Sequence, residues 1–431
     1  MKQSGARGAA FLKLMSGAVG VQIALSASNF LVGLLLIRRT SDAQYGYYVL
    51  IGTAVLLATT IQGSFIQPPM INRLTRADQP GRANLIGGLY HDQRRLVPFV
   101  TILTALCAAG LWLAGRLDFD DAAIIVAGTA AVIMALYREF FRMVLFAYRR
   151  PNDILKADLI YCLLLIASAA AATLVMHAAA AAAFGLALSA LVGRLLLARA
   201  LWRHEPWNPD SPRGTLRSMA HDGIWSAFGG GTHWLFSQGY SYLVAGMIDV
   251  SAVAALAATR LLVMPVSLLS VGIGTLMLPT ASRWNHDHAA DTVLRRLTLF
   301  AVGLSTVAGC YLFVAWLARE WIFDSVLRKH FDHCDLLLLL WSAISVVTVF
   351  RDQLLYFLVT RAQFRSTSSL TFASAVISYV VSLIAMGRMG AAGSLTGLLS
   401  GEVFNVAGIV VLSLREARRL PHSLAAASKA A

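Results

Sequence analysis

From Gly17 to Ile37 the chain runs without one charged side chain, and hydropathy marks twelve apolar runs between residues 17 and 413, the third at 96–115 and the seventh at 223–247. About 20 apolar residues is the length an α-helix needs to cross the hydrocarbon core, where each backbone N–H and C=O must be satisfied inside its own segment. No soluble packing is open to such a chain. Its 431 residues are 58% hydrophobic and 13% charged, too little polar surface to cover a soluble globule. The sequence therefore predicts an all-α polytopic membrane protein.

The runs repeat. Pro69-x-x-x-Arg73 returns as Pro279-x-x-x-Arg283, 210 residues later. Further on, "YREFFRMVLFAYRR" (Tyr137 to Arg150) is answered by "FRDQLLYFLVTR" (Phe350 to Arg361), which sets Arg138-Glu139 against Arg351-Asp352 at an offset of 213. Two spaced coincidences at nearly one offset point to an internal duplication, hence two six-helix lobes at residues 1–210 and 211–431. Six helices bring the second copy in with the orientation of the first, so the expected axis lies along the membrane normal, with a central cavity at the interface.

Charge sets the expected orientation. With the N-terminus inside, the outside segments hold seven of the 36 Lys and Arg, namely Arg38, Arg39, Arg116, Arg319, Arg328, Lys329 and Arg388, while Arg260 lies deep in a span. That asymmetry is the positive-inside pattern of cytoplasmic N- and C-termini. The net charge of +14 is then a topology signal, and nucleic acid is not an expected partner because no soluble domain exists to hold it. Residues 1 to 16, with Lys2, Arg7 and Lys13, read as a retained signal anchor. The basic segment 67–95 reads as an inside connection, part of it an amphipathic helix on the membrane surface. The proline-bearing stretch 199–223 reads as the linker between the lobes.

No enzyme constellation is present. The chain lacks a P-loop, GxSxG and HExxH, so no nucleotide, cofactor or catalytic nucleophile is expected. Four cysteines (Cys107, Cys162, Cys310, Cys334) show no disulfide or metal spacing. "KHFDHCD" (Lys329 to Asp335) and "NHDH" (Asn285 to His288) read as polar loop chemistry, not metal sites.

What remains is polar residues inside spans, each costing about 2.5–3.5 kcal/mol at a helix centre, and so expected to face a cavity or a partner. Arg260, in "AALAATRLLVMP", lies about eight residues in from the outer end of its span, roughly 12 Å deep at the helical rise. Either it meets substrate, or it pairs with an acid such as Glu402. Arg138 and Arg351 either bridge helices or bind phosphate, for which the planar guanidinium fork is suited. Glu139, Asp352, Glu402 and His233 are the coupling or gating candidates, with hydrogen bonding to a neighbouring helix the competing role for Glu402. The glycine triplet 229–231 is expected to let the seventh span bend.

With these residues in hand, the chain resembles a family. "FLVGLLLIRRTSDAQYGYYVLIGTAVLL" is similar to the first hairpin of Wzx-type polysaccharide flippases of the multidrug/oligosaccharidyl-lipid/polysaccharide (MOP) exporter superfamily, and "AALAATRLLVMPVSLLSVGIGTLMLPTASR" resembles their eighth helix. The resemblance implies a protein of the cytoplasmic (inner) membrane that flips an undecaprenyl-diphosphate-linked oligosaccharide by alternating access. Arg260 matches the cavity arginine of that helix, and Arg38 or Arg39 the arginine closing the first. Partners implied are the lipid-linked glycan, membrane lipids, a polysaccharide polymerase and glycosyltransferases. The chain lacks the thirteenth and fourteenth spans of the MurJ branch. A MATE-like drug or metabolite exporter driven by a cation gradient would share the fold, but would be expected to carry cation-linked acids in its first lobe.

Overall fold

The computed structural model describes residues 2–113, 119–205, 207–208, 210–329, 331 and 333–430. Arg116, Asp118, His330 and Asp332 lie outside the described residues, as do the side chains of Lys2, Arg7, Lys13, Cys107 and Asp120. Helices account for almost everything described, because an apolar segment in lipid can satisfy its backbone only internally. Ten of them are long and apolar enough to cross a membrane.

The chain forms two compact units, Met1–Gly231 and Thr232–Ala431. In the first, α1 (Lys2–Arg39), α2 (Asp42–Arg76), α3 (Gln79–Leu113), α4 (Phe119–Ala147), α5 (Pro151–Ala172) and α6 (Ala178–His204) are followed by the single turn α7 (Thr215–Ser218). Here α4 packs on α2 and α6, and α5 on α1 and α6. The core gathers Ile66, Met70, Ile86, Leu89, Phe140, Phe141, Leu145, Ile154 and Leu197, each at most 2% exposed.

Within the basic segment 67–95, Ile86 and Leu89 turn one side of α3 into the protein core. The apolar face of α3 is already occupied by the protein core. Its polar side receives the connecting segment. Asp92 accepts hydrogen bonds from the N–H groups of Gly214 (3.0 Å) and Leu216 (2.8 Å), Asn208 donates to Asn84 (2.6 Å), and Arg73 donates to the Ser218 carbonyl (2.7 Å). A Cβ on Gly87 would collide with the Asn208 carbonyl, and one on Gly88 with Thr215, so glycine is what lets the segment lie this close. Residues 211–231, which the repeat assigns to the second copy, therefore pack with the first unit.

The long helix α8 (Ala220–Gln238) carries the glycine triplet inside a continuous helix. The seventh span is interrupted by a turn at Gly239, where Tyr379 donates to the Leu235 carbonyl at 3.3 Å, before α9 (Tyr240–Met247). Neither piece is among the ten helices that are both long and apolar enough to span. The second unit continues through α10 (Val250–Asp287), α11 (Ala290–Leu317), α12 (Arg319–Trp321) with a π-helical turn (Ile322–Leu327), α13 (Cys334–Val359), α14 (Phe364–Met389) and α15 (Ala391–Ala430). Its α13 packs against α10, α11 and α15. The α14–α15 pair closes on a small-residue stripe: Gly397 and Gly401 meet the Ser374 and Ser378 carbonyls and the Ser382 side chain. Lipid offers no hydrophobic drive between helices, so close backbone approach supplies the adhesion.

The repeat reappears as backbone geometry. The α4–α5 turn places Arg149 at φ 58°, and the α13–α14 turn places Ala362 at φ 58°. Around them the same hydrogen bonds recur at an offset of 213: Arg149 N to Phe146 O matches Ala362 N to Val359 O, and Arg150 N to Leu145 O matches Gln363 N to Leu358 O. A left-handed residue other than glycine is uncommon. Finding one at the same offset that aligns Arg138 with Arg351 supports the duplication independently of side-chain similarity.

Candidate functional site

Within the first unit, α4 and α5 bring Arg138 against Asp158, 2.5 Å apart, with the carboxylate fully buried. Arg142 reaches the second Asp158 oxygen at 3.2 Å and Glu139 at 3.1 Å, the latter a one-turn pair along α4. The Arg138 guanidinium also lies over the Tyr161 ring, 3.7 Å from its centroid. Two guanidiniums thus face two carboxylates, and the centre is charge-balanced. Burying either partner alone would be costly, which is why all four meet at one place.

The second unit builds the corresponding centre differently. Arg351 on α13 holds its neighbour Asp352 at 2.8 Å and Glu402 of α15 at 2.6 Å, with Ser270 of α10 at 3.4 Å from Asp352. His233, exposed on α8, lies within electrostatic reach of Arg351 and Asp352. Glu402 is therefore bonded to a neighbouring helix, and its partner is Arg351. One guanidinium faces two carboxylates here.

Arg260 is organised unlike either. On α10, ten positions past the helix start and about 15 Å along it, it donates through Nη1 to Gln238 Oε1 (2.7 Å) and Tyr240 Oη (3.2 Å). Its Cζ lies 5.2 Å from the centroid of Trp341, a cation–π distance. Trp341 is fixed in turn, its indole N–H donating to the Leu256 carbonyl at 3.1 Å and Tyr240 meeting it edge-on. The break at Gly239 is what supplies both Gln238 and Tyr240. Among the described residues no carboxylate pairs with Arg260, and its remaining donors are not among the buried unpartnered atoms. One tied edge and one open edge make a cationic fork held by neutral groups.

Arg38 and Arg39 close α1 in its last turn, Arg39 exposed and Arg38 half-buried. Sequence reasoning missed Asp158, which starts a span beside more obvious charges, and the aromatic brace of Trp341 and Tyr240. The available signal for Asp158 was a lone acid one turn beyond Ile154 in an otherwise apolar run. Among the described residues no group of three His, Cys, Asp or Glu is placed to hold a metal ion.

The fold is shared with solved transporter structures. An inward-facing multidrug resistance MATE family transporter of the MOP superfamily superposes with a TM-score of 0.72 at 14% identity, over 94% of this chain and 99% of that one. The lipid II flippase MurJ in an inward closed conformation gives 0.74 at 8% identity, over 91% of this chain and 86% of that one. A MOP superfamily transporter from Pyrococcus furiosus, described by the reverse polarity of its binding pocket, gives 0.64 at 13% identity over 96% of both chains. The fold is thus that of the MOP exporter superfamily. No curated protein sequence matches significantly. A family model described as polysaccharide biosynthesis protein matches residues 100–334, more than half of the chain, and the chain belongs to that family.

Proposed function

We propose that this protein flips an undecaprenyl-diphosphate-linked oligosaccharide across the cytoplasmic membrane for surface polysaccharide synthesis, by alternating access. The observation that carries the reading is Arg260, an intramembrane arginine whose charge no carboxylate among the described residues neutralises and whose fork stays open. An anionic head group completes such a site, and a diphosphate matches a guanidinium edge with two charge-assisted hydrogen bonds. Membership of a polysaccharide biosynthesis family and the MurJ-like fold favour that substrate class. The N- and C-termini are assigned to the cytoplasm by the arginine asymmetry. Polymerase and glycosyltransferases are the expected working partners.

Arg38 and Arg39, at the outer end of α1, are assigned to substrate binding. Arg138 and Arg351, both charge-compensated, are assigned to bracing their helices and to phosphate contact only when those pairs open. The surplus carboxylate of the Arg351, Asp352 and Glu402 centre, with His233 nearby, is the place assigned to coupling. Glu139 is assigned to gating with Arg142. In the first unit, Asp158 and Glu139 are both neutralised by arginine, which disfavours a cation-driven drug exporter with a free acid there.

Deletion of the gene, complemented by wild type and by Arg260→Ala, tests the reading. Lipid-linked units trapped on the cytoplasmic face, rescued by wild type alone, support it. Normal surface polymer together with altered sensitivity to cationic drugs would move the assignment to a MATE-like exporter.

A further inference from the structure

We propose that the first unit carries a phosphate-binding site of its own, formed by Arg194 held between Tyr137 and Tyr90. Arg194 lies on α6, ten positions before the helix ends, about 15 Å along it. Its guanidinium carbon lies 4.3 Å from the centroid of the Tyr137 ring, and Nη2 donates to the Tyr90 hydroxyl at a long 3.4 Å. Tyr137 is buried at 8% exposure, while Arg194 and Tyr90 are half-buried.

The chemistry parallels that of Arg260. An aromatic face and a phenol oxygen hold the guanidinium, and among the described residues no carboxylate pairs with Arg194. Arg138 nearby shows the contrast: it is paired with Asp158, and its Nε is buried without a partner. The Nε and Nη1 donors of Arg194 are not among the buried unpartnered atoms, so they reach accessible space. A guanidinium held by a ring face and a phenol oxygen, with a planar edge left to accessible space, selects a phosphate ester over a neutral polar group. The ligand class is a phosphoryl group, whether of a soluble diphosphate or of an anionic phospholipid. This site does not depend on the lipid-linked sugar reading, since any phosphate ester satisfies it.

The test uses the full-length protein in maltoside detergent and phosphate-free buffer, with phenylglyoxal as the arginine reagent and mass spectrometry to follow Arg194 and Arg260 separately. Inorganic pyrophosphate, or phosphatidylglycerol added to the micelles, is expected to slow Arg194 labelling, roughly tenfold at about ten times the dissociation constant. Protection by pyrophosphate identifies a soluble phosphate source, and protection by phosphatidylglycerol alone a bilayer headgroup. Tyr137→Phe should keep the protection and Tyr137→Leu should lose it. Equal labelling of Arg194 in all conditions overturns the site, and so does an Arg194 unreactive from the start, since it would then be sealed in protein. Protection at Arg194 without protection at Arg260 would leave this site standing and remove the support for the proposed cavity.

Discussion

Arginine side chains do two different jobs here, and the neighbours decide which. Arg138 and Arg351 sit against carboxylates, so removing one partner leaves a buried charge unpaired. Arg351→Met is expected to destabilise the second unit by about 3–5 kcal/mol, read as a lowered midpoint in a thermal scan of the purified protein, with Glu402→Gln milder because one hydrogen bond survives. Arg260 has no such partner, so its loss should spare stability and abolish function. Arg260→Lys keeps the charge and loses the fork, and a residual surface-polymer yield between that of wild type and Arg260→Ala is the expected outcome. The charged positions themselves were legible in the sequence, because an arginine in an apolar run stands out. Their pairings were not: Asp158 lies 20 positions from Arg138 and Glu402 lies 51 from Arg351, and only the packing of α4 on α5 or α13 on α15 brings them together.

At the scale of elements, the spans were readable from hydropathy, and the breaks were not. The triplet 229–231 is plain in the sequence, whereas the turn at Gly239, beside which the Tyr379 hydroxyl of α14 meets the Leu235 carbonyl, is not. That contact joins residues 144 positions apart, and no local propensity reports it. The α14–α15 stripe is the reverse case, since Gly393, Gly397 and Gly401 recur every fourth residue in plain sight. Gly397→Leu should cost at least about 1–3 kcal/mol by overpacking against Ser378 and Ser382, seen as poor recovery of folded protein from the membrane. The connecting segment makes a further prediction. Asp92→Ala removes the acceptor for Gly214 and Leu216, and about 1–2 kcal/mol of local opening should follow. Limited trypsin digestion would report it as faster cleavage after Arg213 and Arg217, with the unit otherwise intact.

For the whole molecule, the duplication was visible as two short motifs at nearly one offset, and the turns at Arg149 and Ala362 repeat it in backbone form. Orientation rests on arginine counts and is open to direct measurement. In a cysteine-free background, Arg213→Cys should react only with reagents entering from the cytoplasm and Arg388→Cys only with impermeant reagents from outside. Reaction of both from the same side would reverse or break the assigned topology. The uncompensated Arg260 also bears on how the protein is made. A segment entering the bilayer from the translocon is judged on the sum of its residues, and a central arginine counts heavily against it. Beyond Arg260, helix α10 runs from Leu261 to Leu278 without a charged side chain. The surrounding leucines and valines thus have a role before any substrate arrives: thinning them out would stop the chain at biogenesis, with an unaltered Arg260 left on the wrong side of the insertion threshold.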